Sequence, residues 1–450
     1  MSFHEHPGAS PDQRIISHMP FTPTPEETFL WDCARHWRTP ERIEIPAALD
    51  WARIAQVGVP NRMAHLLRRA LTARALWDAL PAAPRAEIAA SADRLRDNAA
   101  MMSASLAEYL PRAAERGLQT AVLKGLSISA NVYGDPAMRP GGDIDVLVRQ
   151  RDVTVCMDIL ETIGIGAFWP NLMHDDYYAR HHLHQQRSTP DLKIWYEIHW
   201  ALDHPYTLLT IDYDALLDRA TPGVLLGQPV AELAPPDLLL TLAVHLVKHA
   251  IHLPATVHRP DLARAILADG MLMYYLDIAE VIGRRDDLDW DQVIELARQT
   301  GAADIFGAVL RAGVTLLGAR VPEGVLQSLP VRGGGALTRR AMHAVVDREI
   351  SQYLGEPHSK FWDAMLITNG AFILRPIRLL ESAPYFLPPA EYLQRAYGQS
   401  GLACRIGHLG RAIGRFARFG WDSVYFALER YIRLRRIGHS ASLSNRLPEG

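Results

Sequence analysis

The stretch Gly141-Gly142-Asp143-Ile144-Asp145-Val146-Leu147-Val148 decides the fold. From Asp143 onward polar and apolar residues alternate, the period of a strand with one face buried. Side chains two apart share a strand face, so the carboxylates of Asp143 and Asp145 lie together while Ile144, Val146 and Val148 turn toward a core. Two carboxylates held side by side repel, and each raises the other's pKa unless a cation lies between them. Mg²⁺ takes oxygen ligands and favours one or two carboxylates plus substrate phosphates. Metal-assisted phosphoryl transfer uses such pairs. The Asp-x-Asp spacing alone is common, and two solvated aspartates on a strand edge are the plainer alternative.

The neighbouring residues shift that balance. Thr120-Ala121-Val122-Leu123 is a short apolar run fit for a buried strand, Lys124-Gly125 a turn, and Leu126–Tyr133 a segment of helical spacing. A helix opening there would offer backbone N–H groups to an anion, and Gly125 permits close backbone approach. Residues 134–142 read as a loop, marked by two prolines and three glycines. Within it Arg139 has the reach to hold a phosphate through two N–H groups, or to pair with Asp135 or Asp143. Lys124 could equally be a solvated turn lysine. Farther on, Leu183–Arg187 and Lys193–Trp200 bracket the turn Ser188-Thr189-Pro190-Asp191 as a β-hairpin. Glu197 lies mid-strand among aromatics, on one face with Trp195 and His199. A carboxylate buried there needs a partner, which a metal would supply; otherwise Glu197 is a surface glutamate.

The rest of the chain is expected to be mostly helical. Val57–Leu80 and Ala89–Arg116 have helical apolar spacing, the second with Pro111 as a kink and Gly117 as its stop. Asp152–Ile163, a helix from Pro235 through His249, Leu262–Ile282 and Trp290–Thr300 follow. The chain is expected to be mainly helical after Leu216. The expected organisation is a loose arm over 1–25, a helical region over 26–91, a catalytic core over 92–220, a helical domain over 221–330, and a C-terminal helical region with a basic tail over 331–450.

The 450 residues amount to about three typical domain lengths. A net charge of −3 provides no global field for recruiting nucleic acid, so such a role would need a local basic patch. Cys33, Cys156 and Cys404 match no zinc spacing and read as reduced thiols. No apolar run reaches the roughly 18 residues of a membrane span. A cytoplasmic location is therefore expected.

Leu123-Lys124-Gly125, Tyr133-Gly134-Asp135-Pro136, Arg139, Asp143-Ile144-Asp145-Val146-Leu147-Val148 and Glu197-Ile198-His199-Trp200, in this order and spacing, resemble a poorly characterised bacterial group of the polymerase-β-like nucleotidyltransferase superfamily. The resemblance covers roughly 92–202 in detail and continues more weakly through His245, His249, Tyr274–Ile278 and Leu387–Tyr397. It implies an α+β fold, a small mixed sheet with helices embedded between helical regions. It also implies a function: transfer of a nucleoside monophosphate, most simply AMP from ATP, to a small-molecule, peptide or protein acceptor with release of pyrophosphate. Asp143, Asp145 and Glu197 would hold Mg²⁺ or Mn²⁺, with Glu197 also available as a base. The nucleotide triphosphate would lie on Lys124-Gly125 with Arg139 on phosphate. The superfamily more often has Gly-Ser or Gly-Gly at that turn. An RNA- or tRNA-directed transferase and a non-catalytic nucleotide-binding module are the competing readings.

Remaining features are weaker. His174, His181, His182 and His184 match no closed zinc pattern; His182 and His184 alternate onto one strand face, where they could line an acceptor pocket with His199. His245 and His249 lie four apart on a helix, where Leu246 replaces the glutamate of a metalloprotease, and both are candidates for the acceptor pocket. Asp277 is an acid on an otherwise apolar helix, expected to pair with a histidine or reach the substrate. Arg405–Arg436 interleaves arginines with aromatics. It fits either a solvated helix covering the core or a grip on a membrane surface or nucleic acid.

Overall fold

The computed structural model describes residues 23–139, 141–167, 179, 183–203, 209–249, 262–268, 270–285, 288–329, 387, 390–414, 417 and 421. Six short strands, β1 (Ala121–Val122), β2 (Ile144–Leu147), β3 (His184–Ser188), β4 (Trp195–His199), β5 (Thr221–Leu225) and β6 (Gln228–Glu232), form one mixed sheet. Its order is β3-β4-β2-β1-β6-β5. The described residues are strongly helical outside it, so the class is α+β, as expected.

Two compact units divide the chain, one within Met1–Asp145 and Asp214–Leu337, the other within Val146–Tyr213 and Thr338–Gly450. In the first, β1 pairs in parallel with β6, with Ala121 opposite Ala231. The Ala231 N–H donates to the Thr120 carbonyl at 2.8 Å, and the Leu123 N–H to the Asp145 carbonyl at 3.1 Å. β1 is buried on both faces, which explains why a continuous apolar run rather than an alternation encodes it. β2 is also buried on both faces, all four of its residues included, although Asp145 gives its sequence an alternating pattern. The expected solvated face of β2 is therefore covered.

The helix Ala82–Glu115 packs on β6. Pro111 lies inside it without ending it. The stop comes at Gly117 (φ +68°), where the Gly117 N–H donates to Ala114 and the Leu118 N–H to Ala113. This pair of bonds closes the last turn and needs the left-handed backbone that glycine adopts without strain. Two expected helices are broken. Val57–Leu80 becomes Trp51–Gly58 and Ala64–Ala73 followed by a 3₁₀ turn at Trp77–Ala79. Pro60 and the positive φ of Arg62 and Ala75 mark the breaks. Leu262–Ile282 becomes Leu262–Ala268 and Leu272–Arg284, separated at Gly270 (φ +70°).

The expectation of helices after Leu216 missed the β5–β6 hairpin. Pro222, Gly223 and Pro229 lower the apparent strand character of its sequence. Its turn, Leu226-Gly227, has positive φ at both residues, the twist a two-residue hairpin requires. Beyond it, Pro235–His249, Leu272–Arg284, Trp290–Gln299 and Ala303–Leu317 pack on one another as a helical layer. Asp289 caps the third of these through bonds from the Asp291 and Gln292 amides.

In the second unit, β3 and β4 form the expected hairpin, with His184 opposite His199 and Gln186 opposite Glu197. The Val148 N–H donates to the His199 carbonyl at 2.9 Å. Cys33, Cys156 and Cys404 are buried, and none of them forms a disulfide among the described residues. Among the described residues no helix is long and apolar enough to cross a membrane.

Candidate active site

The Lys124-Gly125 turn and the loop before β2 are held against each other by two glycines. Gly125 has φ +57° and ψ −113°, a backbone that residues with a Cβ avoid. A Cβ there would meet the Gly141 backbone and the Asp143 carbonyl at ordinary contact distances. A Cβ on Gly141 would meet the Asp143 carbonyl oxygen at 3.1 Å. The Asn98 side chain donates to the Gly141 carbonyl and fixes the loop from the long helix. Gly125→Ala is therefore expected to destabilise the protein by about 1–3 kcal/mol through backbone strain alone. Thermal melting of the variant checks this.

That packing aims Lys124 at the acids. Its Nζ lies 3.1 Å from Asp145 Oδ2 and 3.5 Å from Asp143 Oδ1. Asp145 is 1% exposed, while the Asp143 side chain is 30% exposed. One cationic nitrogen thus bridges both carboxylates, so the mutual repulsion read from the sequence is relieved by the chain's own ammonium group. The same geometry passes a test of fit for a divalent cation: two carboxylate oxygens reach one positively charged centre, and only oxygen ligands are offered.

The helical segment after the turn is shorter than expected. It comprises a three-residue α turn, Leu126–Ile128, and a π turn, Ser129–Tyr133. The Ser127 N–H donates to the Lys124 carbonyl and the Ser129 N–H to the Gly125 carbonyl. Those two amides are used within the turn, and the expected anion-binding helix terminus is reduced accordingly.

Arg139 has a different setting from the phosphate contact implied by the resemblance. It is 2% exposed, and its Nε donates to Asp277 Oδ2 at 2.6 Å. The Tyr133 hydroxyl donates to Asp277 Oδ1 at 3.0 Å. The Arg139 backbone N–H donates to Ser129 Oγ at 2.7 Å. Asp135 turns the loop by accepting from the Ala137 N–H. Tyr133 and Arg139 thus form a buried clamp that joins the loop to the helix Leu272–Arg284, while the exposed Asp135 shapes the loop itself. Burial pushes the Asp277 carboxyl up, opposed by the Arg139 guanidinium and the Tyr133 hydroxyl. Burial likewise pushes the Tyr133 phenol far up. Asp277, expected to meet a histidine, meets an arginine and a tyrosine instead.

In the second unit, Glu197 is surrounded by polar groups. Its Oε2 lies 3.2 Å from His199 Nε2 and 3.4 Å from His184 Nδ1. Its Oε1 accepts from Gln186 Nε2 at 3.1 Å. Gln186 was not singled out in the sequence, although the hairpin register places it opposite Glu197. His245 stacks on Tyr274 with ring centroids 5.2 Å apart. His174, His181, His182 and the side chain of His249 lie outside the described residues, as does most of Arg405–Arg436.

Against known proteins, residues 47–318 match the model of a family described as an uncharacterised nucleotidyltransferase. No curated protein and no solved structure matches the chain. The match covers well over half of the 450 residues and includes the Lys124-Gly125 turn, Asp143 and Asp145, and the β3–β4 hairpin. The chain belongs to this family of uncharacterised nucleotidyltransferases.

Proposed function

We propose that this protein is a divalent-metal-dependent nucleotidyltransferase that transfers a nucleoside monophosphate, AMP from ATP, to a small-molecule, peptide or protein acceptor and releases pyrophosphate. The observation that carries this reading is the convergence of Asp143 and Asp145 on one cationic centre, within a chain of nucleotidyltransferase family. Glu197, the third acid that the family resemblance implies, would complete the set of carboxylate ligands. Mg²⁺ or Mn²⁺ held by these acids would offset charge on the triphosphate during displacement at the α-phosphate.

The chain's own residues supply the rest. Gly125 and Gly141 bring the turn close to the acids. Asp143 is the more exposed of the two acids and would be the first to meet an arriving triphosphate. Lys124 is a counter-ion for the acids in the free protein, and it turns to the triphosphate when a divalent ion takes its place. Lys124→Met is accordingly expected to melt below wild type in the absence of metal and to gain more in Tm on adding Mg²⁺. Equal Mg²⁺-induced shifts would contradict the exchange.

The activity test offers the four ribonucleoside triphosphates with Mg²⁺ or Mn²⁺, and a fractionated lysate as acceptor source, to the purified protein. Pyrophosphate release that depends on the metal, is stopped by a chelator and is greatest with ATP is the expected result. Release that persists at the same rate in excess chelator would count against the reading.

A further inference from the structure

The hairpin presents a second arrangement of donors that nucleotidyl transfer does not require. His184, Glu197 and His199 each offer a ligand atom, and these atoms all lie within 4.8 Å of one another. Both histidines are buried, at 7% and 5% exposure. Register explains the convergence. His184 and His199 are directly opposed across the antiparallel pair, and Glu197 is two residues from His199 on the same strand face.

His199 Nδ1 lies 3.0 Å from the Ala201 carbonyl oxygen, which can only accept, so that nitrogen is the donor and Nε2 is turned to Glu197 Oε2 at 3.2 Å. His184 Nδ1 lies 3.4 Å from the same oxygen, so one ion at this point would meet all three side chains.

The distances suit it. With metal–nitrogen and metal–oxygen bonds of about 2.0–2.1 Å, the edge of a tetrahedral zinc site is about 3.3 Å, against the observed 3.2 and 3.4 Å. The supporting contacts are also those of a metal site. A ligating imidazole donates its other N–H to a carbonyl, as His199 does to Ala201, and a ligating carboxylate is hydrogen-bonded, as Glu197 is by Gln186.

We propose that His184, Glu197 and His199 form a binding site for a borderline divalent cation, Zn²⁺ by preference, with the fourth position open. Two imidazoles and one carboxylate select zinc and the later transition ions over Mg²⁺. The site shares Glu197 with the acids proposed above, but it does not depend on nucleotidyl transfer.

The test titrates the chelator-stripped full-length protein with Zn²⁺ by calorimetry and with Co²⁺ by visible absorption. One equivalent with the intense bands of four-coordinate Co²⁺ is expected, and Asp143→Asn/Asp145→Asn should retain it. His184→Gln and His199→Gln should each weaken it by more than the roughly 10–100-fold that loss of a supporting partner costs. X-ray absorption of the zinc-loaded wild type should show two imidazole ligands, a readout that needs no variant to fold. Absence of an equivalent in the wild type would overturn the proposal. So would wild-type affinity in both histidine variants, or a zinc shell without imidazole. An equivalent lost in the double aspartate variant and kept in the histidine variants would also overturn it, while leaving the nucleotidyltransferase reading intact.

Discussion

Asp143→Asn/Asp145→Asn is expected to release pyrophosphate from ATP and Mg²⁺ on the order of a thousand-fold more slowly than wild type. A metal ion contributes several kcal/mol of transition-state charge stabilisation, and each 1.36 kcal/mol is about a factor of ten in rate. Asparagine keeps the shape of both side chains and removes the charges that gather a cation. It also leaves Lys124 facing two neutral amides in place of the carboxylates now 3.1 and 3.5 Å away. Part of any loss could therefore be structural, and the melting curve of the variant separates the two effects. An active-site loss leaves the melt close to wild type. The rate itself is read by a pyrophosphate-coupled assay under saturating Mg²⁺. A rate equal to wild type would remove these aspartates from the chemistry.

The second large effect concerns stability. Asp277→Ala is expected to cost about 3–5 kcal/mol, because it strands a buried guanidinium. Arg139 is 2% exposed and its Nε bond to Asp277 is 2.6 Å long. Arginine cannot shed its charge inside a protein. The reverse substitution, Arg139→Met, should cost less, since an abandoned Asp277 can take up a proton. Burial already raises its pKa, and removing the guanidinium raises it further. The folded variant then binds a proton that the unfolded chain releases near the ordinary aspartate pKa. Its stability deficit therefore shrinks as pH falls toward that value and grows as pH rises through the folded pKa. The double variant Arg139→Met/Asp277→Leu should recover much of the loss, because buried ion pairs often exchange for apolar residues at little cost. Denaturant unfolding of the three variants at two pH values measures all of this. Asp277→Ala melting with wild type would contradict the clamp.

Much of the site's framework was legible because local chemistry dictated it. The Asp143/Asp145 pair, the Lys124-Gly125 turn and the β3–β4 hairpin each carry a pattern that depends on few distant contacts: a two-residue period, a glycine at positive φ, a turn bounded by alternating strands. The partners of charged side chains were not legible. Arg139 and Asp277 are 138 residues apart, and nothing in either local sequence says which opposite charge tertiary packing will supply. Lys124 was read either as a solvated turn lysine or, from the resemblance, as part of a triphosphate turn; in the free protein its ammonium lies against the acids, beside the packing of Gly125 on Gly141. The β5–β6 hairpin was missed because its two prolines and Gly223 mask the strand pattern, while pairing with β1 stabilises β6 from outside the segment. Continuous apolar periodicity likewise hid the helix breaks at Pro60–Met63 and Gly270, which backbone geometry imposes.

In the proposed reaction the transferred group is the nucleotide, and Asp143 and Asp145 carry the transfer. Matched reactions with ATP labelled on the α- or the γ-phosphate, Mg²⁺ and a fractionated lysate, run with wild type and with Asp143→Asn/Asp145→Asn, test it most directly. The expected result is α-label on an acceptor and γ-label released as pyrophosphate, in the wild type alone. Transfer of the γ-label to the acceptor, or α-label transfer undiminished in the double variant, would contradict it.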